Sequence, residues 1–196
     1  GSLFVVYTLY MLTPFDYAYA LAIIPLCLVW LLFFIFRPDL RREMLVMSVG
    51  IGFLSVVTAY YWWTIDWWHP PTLTGTRVGL EDFVLGFAAG GIMAVAYEVL
   101  FAKRHYRMRR QCLHCPGQET LLLLLAFLMS WLFWGVGITS FWASIIAMLV
   151  TAGVLFYFRR DLFINGVLSG ILMTLISLPS YAVIMLVAPT WISEVY

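Results

Sequence analysis

The sequence predicts an all-α integral membrane protein of about six transmembrane helices. Three observations carry this: 64% of the 196 residues are hydrophobic, only 11% are charged, and the mean hydropathy is +0.96. Soluble domains carry about 25% charged residues. A bilayer span uses about 20 apolar residues, so six spans fill the chain and leave no room for a soluble catalytic domain. A net charge of +1 gives no footprint for nucleic acid. Three cysteines, with Cys27 inside an apolar run, do not make a disulfide framework.

Taken in order, residues 3–13 (LFVVYTLYMLT) are apolar but too short to span. Pro14 separates them from the first span, so they read as an interfacial or re-entrant segment, or as an extension of the first helix. Spans are expected near 17–36, 45–64, 81–101, 119–138, 141–158 and 162–187, joined by short connections. Arg37, Arg41 and Arg42 follow the first span. Lys103, Arg104, Arg107, Arg109 and Arg110 follow the third, and Arg159 and Arg160 the fifth. All three clusters fall on one side, and the other side has only Arg77. The positive-inside rule then makes this a multi-pass protein of the cell membrane with both termini on the non-cytoplasmic side. Trp62, Trp63, Trp67 and Trp68 lie at the outer boundary, where an aromatic belt is one reading of them.

Residues 36–60 (FRPDLRREMLVMSVGIGFLSVVTAY) echo residues 158–181 (FRRDLFINGVLSGILMTLISLPSY) at an offset of 122 residues. Each has an aromatic-Arg-x-Asp-Leu turn, then an apolar helix closing on tyrosine. A parallel duplication would account for this, with one unit over 17–101 and a partial second over 141–188. A shared demand for Arg and Asp in tight turns would account for it equally.

The residues able to carry chemistry gather around one loop. Asp66, His69, Arg77, Glu81 and Asp82 lie in and just after IDWWHPPTLTGTRVGLED, and Glu98 lies near the far end of the third span. Ionisable groups beside hydrocarbon cost roughly 2.5–3.5 kcal/mol each at mid-helix, which favours a functional role when they face a bundle interior. Glu81 and Asp82 open a helix, where dipole capping is the structural alternative. For Glu98 the alternative is a salt bridge to Lys103 or Arg104. It stands 17 residues from Glu81, about 25 Å along an unbroken helix, so the two acids cannot share one small pocket. Gly86, Gly90 and Gly91, like Gly166 and Gly170, have the spacing that lets helices approach closely.

His105, Cys112, His114 and Cys115 include a CLHC run, but a single C-x-x-C without a second pair is a weak zinc signal, so no metal is expected. Nucleotide, protease and lipase motifs are absent. No lysine lies in a span to anchor a retinal Schiff base. No cofactor is expected.

Residues 60–98 resemble the lycopene cyclase domain family, the small integral-membrane carotenoid cyclases that occur as heterodimers or fused chains. The matching features are Asp66, the WWHPPTLTG loop, the acidic pair Glu81-Asp82, the FVLGFAAGG run and the closing Tyr97-Glu98. The pair is Glu-Asp after Gly79-Leu80, where the family usually has Glu-Glu after proline. The resemblance implies non-redox acid–base cyclisation of a linear isoprenoid or carotenoid end group: an alkene is protonated, the ring closes through a carbocation, and a proton leaves. Glu81 and Asp82 would be the acid/base pair, assisted by Asp66 and His69. A carboxyl taken out of water holds its proton more tightly.

Tyr60, Tyr61, Trp62, Trp63, Trp67 and Trp68 would shield the cation by cation–π attraction, and Gly86, Gly90, Tyr97 and Glu98 would complete the substrate cleft. A non-catalytic carotenoid- or lipid-binding subunit is the alternative. Membrane lipid is the surrounding partner. Because the second repeat has no counterpart of the third helix, a second subunit, or one more helix beyond Tyr196, is expected to complete the site.

Overall fold

The computed structural model describes residues 14–101 and 117–190. Within them the chain forms six helices long and apolar enough to cross a membrane. Their α-helical parts are α1 (Pro14–Phe36), α2 (Arg41–Thr58), α3 (Leu80–Leu100), α4 (Gln118–Ser130), α5 (Ser140–Phe158) and α6 (Phe163–Val187). Among the described residues there is no β-strand. The all-α membrane class is therefore established, and each helix falls within a few residues of its expected span. Residues 3–13, the basic run after α3 and the CLHC segment lie outside the described residues.

Two helices run on past their regular ends. α2 continues through a π-helical turn at Ala59–Trp63 and a last turn at Thr64–Asp66, and α4 continues through a π-helical turn at Trp131–Val136. At the end of the first, the Thr64 hydroxyl donates to the Ala59 carbonyl at 2.7 Å, beside the Thr64 backbone N–H that reaches the same carbonyl. Such wide turns gather at functional sites. This one turns four aromatic side chains, Tyr60 to Trp63, around the end of α2.

The packing has a tight centre. α2 and α3 form the closest pair, and α1, α3 and α6 pack on one another. Glycine makes the α2–α3 approach close: a Cβ on Gly90 would stand 2.5 Å from Ile51 Cβ and 2.9 Å from the Met47 carbonyl, and one on Gly86 would stand 2.8 Å from the Ile51 carbonyl. Gly91 leaves room where α1 crosses, so the Trp30 indole reaches the fully buried Ser48 hydroxyl at 2.9 Å. Trp30 also stacks on Phe34 at 4.9 Å. Ser48→Ala would leave that indole N–H unpaired in hydrocarbon, and should lower stability by about 1–3 kcal/mol in a detergent melt.

The turns before α2 and α6 share one geometry. Arg37 and Asp39 pair through two hydrogen bonds of 3.0 and 2.9 Å, and so do Arg159 and Asp161. The backbone matches as well, with Arg37 at φ −124°, ψ 73° and Arg159 at φ −127°, ψ 66°. Those bonds push both guanidinium pKa values further up, so both arginines stay charged at all working pH. In neither hairpin do the two arms pack closely on each other. Around the first, α3 packs on both α1 and α2.

α4 and α5 pack together as a hairpin. Its ties to the rest cluster at the end that carries the 67–79 loop, the loop end of the bundle. Trp62 packs against the Met129, Leu132, Ala143 and Ala147 cluster, Trp63 donates to Ser144 at 2.9 Å, and Trp67 meets Phe141 edge-on at 5.1 Å. Elsewhere large apolar side chains such as Leu32, Phe53, Leu123, Leu149 and Leu186 are exposed, which carries no hydrophobic penalty where the solvent is lipid.

Candidate functional site

The site is built at the start of α3. Glu81 and Asp82 fall on its first turn and are 6% and 4% exposed. Gly79 allows the loop to come close, for a Cβ there would press on Glu81 and stand 2.9 Å from the Thr72 methyl carbon. Asp82 Oδ2 accepts the N-cap Gly79 N–H at 2.9 Å, a one-way cap in which the third helical residue reaches back to the helix start. Its other oxygen, Oδ1, accepts the Tyr19 hydroxyl of α1 at 2.8 Å. The Asp82 carbonyl accepts from Ser55 of α2. Glu81 Oε1 accepts the Leu73 N–H at 2.5 Å, while Oε2 is buried with no hydrogen-bond partner.

The loop above is braced by threonines. Thr72 donates to the Thr76 carbonyl at 2.6 Å, Thr74 and Thr76 share a hydrogen bond of 2.6 Å, and Thr76 donates to Val78 at 2.9 Å. Gly75 takes the left-handed conformation, φ 65°, that this turn requires. Arg77 swings back, donating to the Tyr60 carbonyl at 2.8 Å with its guanidinium 4.6 Å from the Tyr60 ring centre.

Below this cap lies a cavity of about 330 Å³ among α1, α2, α3 and α6. Tyr19, Ser55, Trp63, Trp68, Ser177, Ser180 and Tyr181 are the polar and aromatic members of an otherwise apolar lining. Tyr19 is 3% exposed and meets Trp68 edge-on, with ring centres 5.5 Å apart. The Ser180 hydroxyl is buried without a partner, next to Pro179, which lies inside the continuous helix α6. A phenol backed by an acid thus stands at the wall of an apolar, indole-lined space, for Tyr19 is in the lining while Asp82 and Glu81 are not. That arrangement can move a proton between a carboxyl and a hydrocarbon ligand through one hydroxyl. Comparison of the chain with known protein families, curated proteins and solved structures finds no match.

The other candidates distribute unevenly. Asp66 is committed elsewhere: its oxygens accept the Ser140 N–H at 2.6 Å and the Ser140 hydroxyl, capping α5 from a distance. His69 is exposed in the loop. Tyr60 and Tyr61 are more than half exposed. Trp63 and Trp68 line the cavity, while Trp62 and Trp67 pack toward α4 and α5. Gly86 also lines the cavity, and Gly90 belongs to the α2–α3 seam. Tyr97 and Glu98 stand at the far end of the continuous helix α3, where Arg37 donates to the Glu98 carbonyl at 2.7 Å. They are not in the lining of this cavity.

Sequence reasoning missed Tyr19, Ser55 and Ser180. Each is a hydroxyl in an apolar span, and a hydroxyl there is most often bonded to its own helix. The usable signal was placement. Tyr19 starts α1 at the same end as Asp82 starts α3, so two parallel helices present them at one depth.

Proposed function

We propose that this chain is a membrane-embedded, lycopene cyclase-like enzyme that cyclises the end group of a linear isoprenoid or carotenoid by acid–base chemistry without redox change. The observation that carries the reading is the Tyr19–Asp82 hydrogen bond at the wall of the tryptophan-lined cavity. In the proposed reaction Asp82 in its protonated form passes its proton through the Tyr19 hydroxyl to the terminal alkene, the next double bond attacks the cation to close the ring, and a neighbouring C–H proton leaves. Product and substrate are isomers. The direction of the hydrogen bond suits the last step: Tyr19 oxygen takes the departing proton while its own passes to Asp82. Glu81, with one carboxyl oxygen buried and unpartnered, is the proton reserve on the adjoining residue. Trp63 and Trp68 offer ring faces to the cation, worth about 2 kcal/mol or more in a dry site.

Pigment analysis by chromatography after co-expression with a lycopene-forming pathway tests it. New ring-bearing carotenoids are the expected result, and unchanged lycopene with intact protein would overturn the reading. The caps give a non-catalytic carotenoid- or lipid-binding subunit its support, because Asp82 Oδ2 and Glu81 Oε1 each serve a backbone N–H. The proposal extends to location, partner and ancestry. The chain lies in the cell membrane with the loop end outside the cytoplasm, and the matched Arg–Asp turns reflect duplicated helix pairs. A helix equivalent to α3, from a second subunit, seats beside α5 and α6. For orientation, Thr74→Cys should react with a membrane-impermeant thiol reagent in intact cells, and Arg160→Cys only after lysis. The reverse pattern would invert the topology.

A further inference from the structure

The cavity beside Tyr19 keeps one buried hydroxyl that the chemistry above does not use. Ser180 is 8% exposed and belongs to the lining on α6, yet its oxygen has no hydrogen-bond partner. Hydroxyls in an apolar helix ordinarily turn back on that helix. Two others on α6 do so: Thr174 donates to the Gly170 carbonyl at 3.0 Å, and Ser177 to the Thr174 carbonyl at 2.8 Å. Ser180 does not. Elsewhere in the lining Ser55 donates to the carbonyls of Gly52 and Asp82, and Tyr19 donates to Asp82. Among the described residues, Ser180 is the one member of this lining with a buried polar atom that lacks a partner.

An unpaired hydroxyl away from water bears its full desolvation cost, and an acceptor brought to it removes that cost. Water is a poor candidate for the role, because a buried water needs two to four polar partners and this wall is mostly apolar. A phospholipid is poorer still. Ser180 lies seven residues short of the last residue of α6, Val187, about 10 Å of rise, so an acyl chain at its normal depth meets it with carbon. The oxygen is covered where it stands. Serine has a single side-chain torsion with three staggered positions, however, and no bond opposes its turning into the cavity.

A space of about 330 Å³ is at the low end for small-molecule sites, so it takes an end group and not a whole long chain. Tyr19 and Ser180 therefore address the same end of the ligand. Resting on the function proposed above, we infer that the cavity prefers an isoprenoid whose end group already carries an oxygen, and that the Ser180 hydroxyl recognises that oxygen by donating a hydrogen bond to it. The oxygen is a handle and not a reactant: the alkene beside Tyr19 reacts as before. Ser180 sets specificity without entering the chemistry.

Ser180→Ala removes the hydroxyl and keeps the shape, and Ser180→Thr keeps a hydroxyl. The probes are lycopene and lycopene hydroxylated on one end group, and binding in detergent is read by the circular dichroism induced in their visible bands. The unmodified protein and Ser180→Thr should bind the hydroxylated probe about five- to tenfold more tightly than lycopene. Ser180→Ala should bind the two within about twofold of each other, with its lycopene affinity unchanged. Because the hydroxyl is unpaired without ligand, ligand-free Ser180→Ala should also melt at the same temperature as the unmodified protein or higher.

A clearly lower melting temperature would show that a water or a backbone carbonyl already uses the hydroxyl, and would overturn the inference. So would a preference that survives in Ser180→Ala, or equal binding of the two probes by the unmodified protein. Each of these leaves the proposed chemistry standing, because no turnover is read. Selective binding as inferred, with no ring formed, would do the opposite. Failure of the unmodified protein to bind either probe would overturn both.

Discussion

Replacing Asp82 by asparagine should cut ring formation by about 10²–10⁴-fold, the range supplied by a positioned acid or base. Asparagine keeps the shape and an oxygen, so it can still accept either the Gly79 N–H or the Tyr19 hydroxyl. It cannot take up a proton. Tyr19→Phe should fall nearly as far, because the phenol is the link between the acid and the cavity. Both variants should still bind polyene, for the lining is otherwise intact. Chromatographic product yield against induced circular dichroism separates the two quantities. Yields within about threefold of the unmodified protein would reduce Asp82 to a helix cap and favour the binding-subunit reading.

Gly90→Leu should produce the largest loss of stability. Even its first side-chain carbon would stand 2.5 Å from Ile51 Cβ and 2.9 Å from the Met47 carbonyl. A backbone carbonyl cannot yield as a flexible side chain does, so α2 and α3 must separate. Overpacking of this kind costs about 3 kcal/mol, and the melting temperature in detergent should fall accordingly. Gly153 and Gly170 provide the contrast, since a Cβ on either meets nothing within 4 Å. Gly153→Ala and Gly170→Ala should be neutral or stabilising by about 0.5–1 kcal/mol through helix propensity. A Gly90→Leu protein as stable as these two would show that the seam is looser than described.

The spans were legible because the bilayer imposes a single requirement on every one of them: enough consecutive apolar residues to cross with all backbone groups satisfied internally. Side-chain partnerships obey no such rule. Glu81 and Asp82 stood out as acids beside hydrocarbon, and both are buried. Tyr19 did not stand out, because nothing near it in sequence marks it, and its partner lies 63 residues away. Asp66 looked like a member of the acidic group by proximity in the chain. The π-turn carries the end of α2 round to the start of α5, where Ser140 takes both oxygens. Four consecutive hydrophobic aromatics could not signal that turn, since they fit an interfacial belt as well as a widened helix.

The cavity beside Tyr19 is walled by α1 on one side and by Met173, Ser177, Ser180, Tyr181 and Ile184 of α6 on the other. These are the earliest and the latest of the described helices to be synthesised. α1, α2 and α3 can assemble through Trp30 and the glycine seam while translation continues, but the pocket has no fourth wall until α6 enters the bilayer. Closure of the cavity thus waits on α6, after the other five described helices are made, and a chain stopped before α6 would leave it open on that side.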